Sequence, residues 1–350
     1  MTSKIIINRV TALLNAAGHC ESFELKPLAG GVNNRIFLVL QENRIVAVVK
    51  QYYHNRNDVR DRLSSDYGFS RFLWDHGIHQ IPMPIASDPL HHLAIFEYID
   101  GKKMVHSEIT GQHIDQVIDF YFAINTYRAS ADARVLPDAS EACFSLAEHI
   151  RLTENRVQNL EKIQGRSETD KRAEQYIQEE LLPMWERVKY STCLKAEKAN
   201  LVMDDVIPDS DKCLSPSDFG FHNALADKDG KLFFVDFEYA GRDDPAKMVC
   251  DLFCQPQVPI PRRFYPYIIE KIVKNLGNPG MQRQRIEMLL PVYKIKWCCI
   301  VLNEFLPRGR SRRAFMKNTQ NSEVNKEEQL KKAINIISNL RNGEDRYAGN

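Results

Sequence analysis

The stretch from Leu214 to Asp251, LSPSDFGFHNALADKDGKLFFVDFEYAGRDDPAKMVCD, constrains this chain more than any other part of it. Asp218 is followed five positions later by Asn223, and Asp236 comes thirteen positions after that. Between them, Asp227, Lys228, Asp229 and Gly230 carry turn chemistry. Leu232 to Val235 then predict a buried strand that ends at Asp236. Asp218 and Asn223 therefore belong to a loop, and a hairpin carries Asp236 back beside them. Transfer of a phosphoryl group needs such a set. One carboxylate orients the attacking hydroxyl or accepts its proton, while a neutral oxygen donor and a second carboxylate hold magnesium against nucleotide phosphates. Taken singly, loop Asp and Asn residues are far more often turn formers and caps. The weight lies in their conjunction with the strand, DFEYAG and the following Asp-Pro.

That text resembles the aminoglycoside phosphotransferase and choline kinase superfamily, the small-molecule branch of the protein-kinase fold. The family pattern runs close to H-G-D-x-H-x-x-N, then a hydrophobic strand and I-D-[WF]-E-x-A, then D-P and D-L. The matching residues are Pro216, Ser217, Asp218 and Asn223, then Val235, Asp236, Phe237, Glu238, Tyr239 and Ala240, then Asp244, Pro245, Asp251 and Leu252. The resemblance implies an α+β, bilobal, protein-kinase-like fold, with a small antiparallel-sheet N-lobe and a larger, mainly helical C-lobe. It implies ATP and Mg2+ as cofactors, Asp218 as catalytic base, Asn223 and Asp236 as metal ligands, and Asp251 as a buried brace of the catalytic loop. Two departures stand out. Pro216 and Gly220 occupy the places of the family's loop-bracing histidines, and the spacing from Asp244-Pro245 to Asp251 exceeds the common form, which marks a distinct subfamily.

The N-terminal hundred residues supply the expected partners. Ile6 to Leu14 predicts a short amphipathic helix. Strands over Phe23 to Leu28 and Ile36 to Leu40 flank Ala29-Gly30-Gly31-Val32-Asn33-Asn34-Arg35. Glycines and asparagines there tolerate left-handed backbone and let turn amides approach phosphate oxygens, so Gly30, Gly31, Asn33 and Asn34 are candidate nucleotide contacts. Ile45 to Val49 predicts a strand delivering Lys50, the position from which kinase-like folds contact nucleotide phosphates. The helix over Ser65 to His76, closed by Gly77, places Asp66 where the superfamily usually has a glutamate for that lysine. Aspartate is one methylene shorter, so its reach to Lys50 is left open; a water-mediated contact and a mere helix cap are the alternatives. Leu93 to Ile99 predicts a strand. Within it Glu97, Tyr98 and Ile99 match the family's adenine-binding hinge by position, and Asp100-Gly101 is the expected boundary between an N-lobe of residues 1–100 and a C-lobe of residues 101–350.

Beyond that boundary, apolar periodicity predicts helices over Gln112 to Arg128, Ser145 to Gln164, Lys171 to Leu182 with a kink or restart at Pro183, Arg263 to Asn275, Gln282 to Phe305 and Lys326 to Leu340. Glu304 is a candidate for the acceptor side, with a solvated or capping glutamate as the alternative. Arg308, Arg310, Arg312, Arg313 and Lys317 form a run of cations without an acid, read as a solvated loop or as an anion-recognition element.

With 350 residues and a formal net charge of +1, the chain is long enough for a large core and has no general affinity for nucleic acid or membrane. No apolar run approaches the roughly 20 residues a bilayer span needs. The eight cysteines form no C-x-x-C pair and are expected as reduced thiols of a cytoplasmic protein. The reading is therefore an ATP-dependent transfer of phosphate to a hydroxyl of a small molecule, a sugar or amino alcohol among the compatible classes. A nucleotide-binding pseudokinase and an adenylyl transferase acting on a protein are the alternatives. The acceptor and the oligomeric state leave no signature in the sequence.

Overall fold

The computed structural model describes residues 4–18, 22–28, 34–54, 60–163, 166–306 and 322–342. The first elements are helix α1 (Lys4–Ala16) and strands β1 (Glu24–Leu28), β2 (Asn34–Gln41) and β3 (Arg44–Tyr52). Helix α2 (Arg62–Asp75) follows, then β4 (Pro84–Asp88) and β5 (Leu93–Glu97). The five strands form one antiparallel sheet in the order β1-β2-β3-β5-β4. Glu42 and Asn43 both take positive φ (45° and 64°) between β2 and β3, the backbone that a two-residue hairpin needs to match strand twist.

The side-chain period of two sorts this sheet into faces. Phe37, Val39, Ala47, Val49, Leu93 and Ile95 pack with Ile6, Val10 and Leu14 of α1. Tyr52, Ala94 and Phe96 pack with Leu63 of α2 on the other side. Lys50, one residue after Val49 and paired with Ala94, is thereby directed toward α2. Helix α2 starts earlier than the apolar pattern predicts, because Asp61 caps it through Ser64 N at 3.0 Å.

The rest of the chain is mainly helical. It contains β6 (Lys102–Lys103), α3 (Gly111–Thr126), α4 (Ala131–Arg134), α5 (Leu146–Leu160), α6 (Glu168–Tyr176) and α7 (Leu182–Lys198). Short strands β7 (Cys213–Ser215), β8 (Ala224–Ala226), β9 (Leu232–Phe234) and β10 (Gly241–Asp243) come next, followed by α8 (Pro245–Cys254), α9 (Tyr265–Val273), α10 (Pro279–Leu302) and α11 (Ser322–Arg341). The expected break near Pro183 is a π-helical turn, Ile177–Leu181, that joins α6 to α7. It absorbs the backbone bond that proline cannot make. Helix α10 packs against α5, α7, α8, α9 and α11, and its buried face joins the main core with α3, α8 and α9. Among the described residues no helix is long and apolar enough to cross a membrane, and the seven cysteines present are all free. The basic run Arg308–Lys317 lies outside the described residues.

Candidate active site

Lys50 is the first link between sheet and loop. Its Nζ donates to Asp66 Oδ2 at 2.7 Å and to Asp236 Oδ1 at 3.0 Å. Burial alone would lower the lysine's pKa; the charges of Asp236 and Asp66 reverse that and hold the ammonium well above its ordinary range. The reach left open in the sequence is therefore direct. Asp66 is not the helix cap, which is Asp61. Its Oδ2 also accepts from Tyr52 Oη at 2.7 Å, and its Oδ1 accepts the backbone N–H of Phe237 at 3.0 Å. Asp66 is buried, with both oxygens engaged by protein donors.

The loop carrying Asp218 leaves β7, which Asn125 of α3 clamps by donating to Leu214 O at 3.0 Å and accepting from Leu214 N at 2.9 Å. Ser217 has φ 64°, and Gly220 is extended. Asp218 Oδ1 lies 3.0 Å from His222 Nε2. Asn223 Nδ2 donates to Asp218 O at 2.9 Å and approaches Oδ2 at 3.4 Å. Burial pushes the Asp218 carboxyl up, but the His222 and Asn223 contacts outweigh it and hold the group below its ordinary value. The expected hairpin is present: Ala224 pairs with Phe234 and Leu225 with Phe233, and Val235 N donates to Asn223 O at 2.9 Å. Asp236 stands directly after this junction.

Asp236 adopts φ 71°, a left-handed backbone that costs a non-glycine residue roughly 1 kcal/mol. Its pKa is raised, first by burial and then by the nearby carboxylates of Asp66 and Asp218, with Lys50 opposing. Two residues on, Glu238 Oε2 accepts from Asn34 Nδ2 at 3.0 Å and lies 4.0 Å from Arg62 Nε. Burial and the Asp236 charge push Glu238 up to about 7. Asn34, the first residue of β2, thus joins the strand to the loop of Asp236. Gly30, Gly31 and Asn33 lie outside the described residues. Glu97 closes β5, with its N–H donated to Met83 O at 2.9 Å, and Tyr98 and Ile99 follow, half-buried. Glu304, on the turn that ends α10, is half-buried as well.

Sequence reasoning named Asp251 as a brace of the loop but missed Lys247, which stands between them. Lys247 of α8 donates to Asp243 Oδ2 at 2.6 Å and Ser217 Oγ at 3.0 Å, and lies 3.5 Å from Asp251 Oδ2. Asp251 also accepts from Lys296 at 2.8 and 3.0 Å and from Trp297 Nε1 at 2.7 Å. Asp251 thus reaches the loop through Lys247. All ten residues of helix α8 are buried, and its polar stripe, Lys247 and Asp251, faces the interior of the protein and not solvent.

The donor set fits a divalent cation. Lys50 meets two carboxylates, Asp66 and Asp236, and Asp236 is raised by its burial first and then by the neighbouring charges of Asp66 and Asp218. The Asn223 amide turns its nitrogen to Asp218, which leaves the amide Oδ1 as a neutral oxygen donor, and Asp236 follows directly on the Val235–Asn223 backbone bond. Oxygen ligands of mixed charge suit Mg2+.

Fold and site together define a kinase-like phosphotransferase. The profile of the phosphotransferase enzyme family matches residues 24–263. The chain belongs to that family, whose members are ATP-dependent small-molecule phosphotransferases. Among solved structures, it is similar to the streptomycin-ATP complex of APH(2")-IIa, at 17% identity with a TM-score of 0.56, covering 91% of this chain and 97% of that one. It is also similar to spectinomycin phosphotransferase APH(9)-Ia bound to ADP and spectinomycin, at 14% identity with a TM-score of 0.59, covering 94% and 98%. A choline/ethanolamine kinase family protein from Mesorhizobium loti is 14% identical with a TM-score of 0.56, covering 96% and 95%. At these identities the likeness is one of fold. No curated protein sequence matches the chain.

Proposed function

We propose that this protein transfers the γ-phosphoryl group of ATP to a hydroxyl of a small molecule, a sugar or amino alcohol being compatible acceptors. The observation that carries the reading is the convergence on one spot of Lys50, Asp236 and the Asp218–Asn223 loop, from chain positions up to 186 apart. Asp218, held ionised, orients the acceptor hydroxyl and takes its proton as the oxygen bonds to phosphorus and the bond to the β-phosphate oxygen breaks. Lys50 neutralises phosphate charge, with Asp66 fixing its ammonium. Asn223 and Asp236 would hold Mg2+, which supplies further neutralisation of the phosphate oxygens. Gly30, Gly31, Asn33 and Asn34 would cover the phosphates, and Glu97, Tyr98 and Ile99 would meet the adenine. The lobes would divide at residue 100.

An ADP-release screen over sugars, amino alcohols, choline-like alcohols and nucleosides tests the reading. One acceptor class should stimulate release, and mass spectrometry should find it heavier by one phosphate. The Asp218→Asn variant should lose about 10²- to 10⁴-fold in turnover, the range of a general base, while keeping its affinity for MgATP. Full turnover in that variant, or adenylyl in place of phosphate on the product, would overturn the assignment.

A further inference from the structure

Asp218 presents two unlike oxygens. Oδ1 is 3.0 Å from His222 Nε2, whereas Oδ2 has only the 3.4 Å approach of Asn223 Nδ2. The His222 ring is almost enclosed, with its side chain 5% exposed, and its Nδ1 is buried with no hydrogen-bond partner among the described residues. A proton on Nδ1 would be a buried donor without an acceptor, a costly arrangement. A proton on Nε2 instead has a carboxylate to meet. The ring is thereby fixed as a donor to Asp218 through Nε2.

The residue beside it agrees. Gly220 is extended, with φ 162°, so its backbone makes no demand for glycine. Space does. A Cβ at 220 would lie 2.9 Å from His222 Nδ1, closer than real Cβ contacts come, and a tight 3.1 Å from its Cε1. The ring of His222 occupies the room that a side chain at 220 would need. Pro216, the other position where the resembling family has a histidine, cannot donate from its side chain either. His222 is the sole imidazole within hydrogen-bonding distance of Asp218 among the described residues.

We propose that His222 is a positioning residue for the reaction. Its Nε2–H holds Oδ1 of Asp218, turns the carboxylate plane, and leaves Oδ2 free for the acceptor hydroxyl. This rests on the reading of Asp218 as the base. The role is confined to orientation: the ring neither receives the acceptor's proton nor touches the nucleotide.

Steady-state ADP release with the acceptor found by the screen, together with MgATP affinity by calorimetry, tests it on the full chain. His222→Leu should lower kcat about 10- to 100-fold, the cost of misplacing a catalytic group, with MgATP affinity within about twofold of the parent. His222→Gln, whose amide reaches about as far as Nε2, should recover most of that loss. The Asp218→Asn/His222→Leu double variant should be no slower than Asp218→Asn alone. An unchanged kcat in His222→Leu, alongside a dead Asp218→Asn, would overturn the positioning role and leave the base assignment standing. A fully active Asp218→Asn would overturn both. A second measurement needs no acceptor and no substitution: the ring 15N spectrum of the native protein should place the His222 proton on Nε2. An Nδ1–H ring would refute the proposal.

Discussion

Ser217 holds φ 64° one residue before Asp218, where a side chain costs roughly 1 kcal/mol that glycine avoids. Its hydroxyl accepts from the buried Lys247 ammonium at 3.0 Å, and its N–H donates to Ser215 Oγ at 2.9 Å. The strained backbone persists because these contacts over-determine it. Ser217→Ala keeps the strain and removes the acceptor, so it should lower stability by about 2 kcal/mol, the worth of a hydrogen bond to a charged group, and reduce kcat. Ser217→Gly loses the same bond but relieves the backbone, and should exceed the alanine variant by about 1 kcal/mol in urea unfolding. An alanine variant as stable as the glycine one would sink this account. At this scale Asp218, Asn223, Asp236 and Lys50 were legible, since each is marked by spacing or by the strand that delivers it. Asp66 was legible in place but not in reach, because the approach of α2 to β3 makes up for the missing methylene. Asn34 was legible as a loop-end candidate but its bond to Glu238, 204 positions away, was not, and His222 and Lys247 were missed because a lone histidine or lysine near a loop carries no pattern that marks its partner.

Short elements carry the loop, and their geometry depends on one close approach. Strand β10 pairs with β7, Gly241 opposite Ser215 and Asp243 opposite Cys213, and also runs beside residues 137–139. A Cβ on Gly241 would lie 2.4 Å from Pro137 O and 2.6 Å from Ala139 N. Both are backbone atoms, held by Arg242 N donating to Pro137 O and Ala139 N donating to Arg242 O, so neither can yield cheaply. Gly241→Ala should cost about 3 kcal/mol in chemical unfolding and lower turnover through β7. Gly68 in α2 is the control. Nothing lies within 4 Å of a Cβ added there, and alanine should stabilise that helix by up to about 1 kcal/mol. Equal effects at the two sites would mean that space is not what selects Gly241. The long amphipathic helices were legible from period alone. Strands β6, β7 and β10, with two or three residues each, are too short to show alternation, and α8 is short, with its polar Lys247 and Asp251 turned inward.

Across the whole molecule, buried charge is arranged around α8 and α10, and it sets the response to acid. Asp244, fully buried, caps α8 through Ala246 N at 2.7 Å and accepts from Arg285 Nη2 at 2.5 Å and His149 Nε2 at 3.1 Å. Burial would raise its pKa; Arg285 and His149 outweigh that and hold it well below the ordinary 3.8. His149 is pushed below its ordinary 6.5, first by burial, with the charges of Arg285 and Lys247 adding and Asp244 opposing. The ring is satisfied as a neutral one, its Nδ1 accepting from Tyr293 Oη at 2.7 Å. Both signs run the same way. The unfolded histidine takes up a proton below about pH 6.5 that the folded one refuses, and the unfolded aspartate does so below about pH 4. Stability should therefore be level above about pH 6.5 with respect to these two groups, slope down from there, and fall more steeply below about pH 4. Urea unfolding from pH 7.5 to 3.5 measures it. His149→Gln should flatten the upper part of the slope and leave the lower part. Asp244→Asn should lose about 3 to 5 kcal/mol at pH 7 by stranding Arg285, and its remaining stability should fall less steeply at the acid end. A parent slope that survives both substitutions would assign the acid sensitivity to other groups.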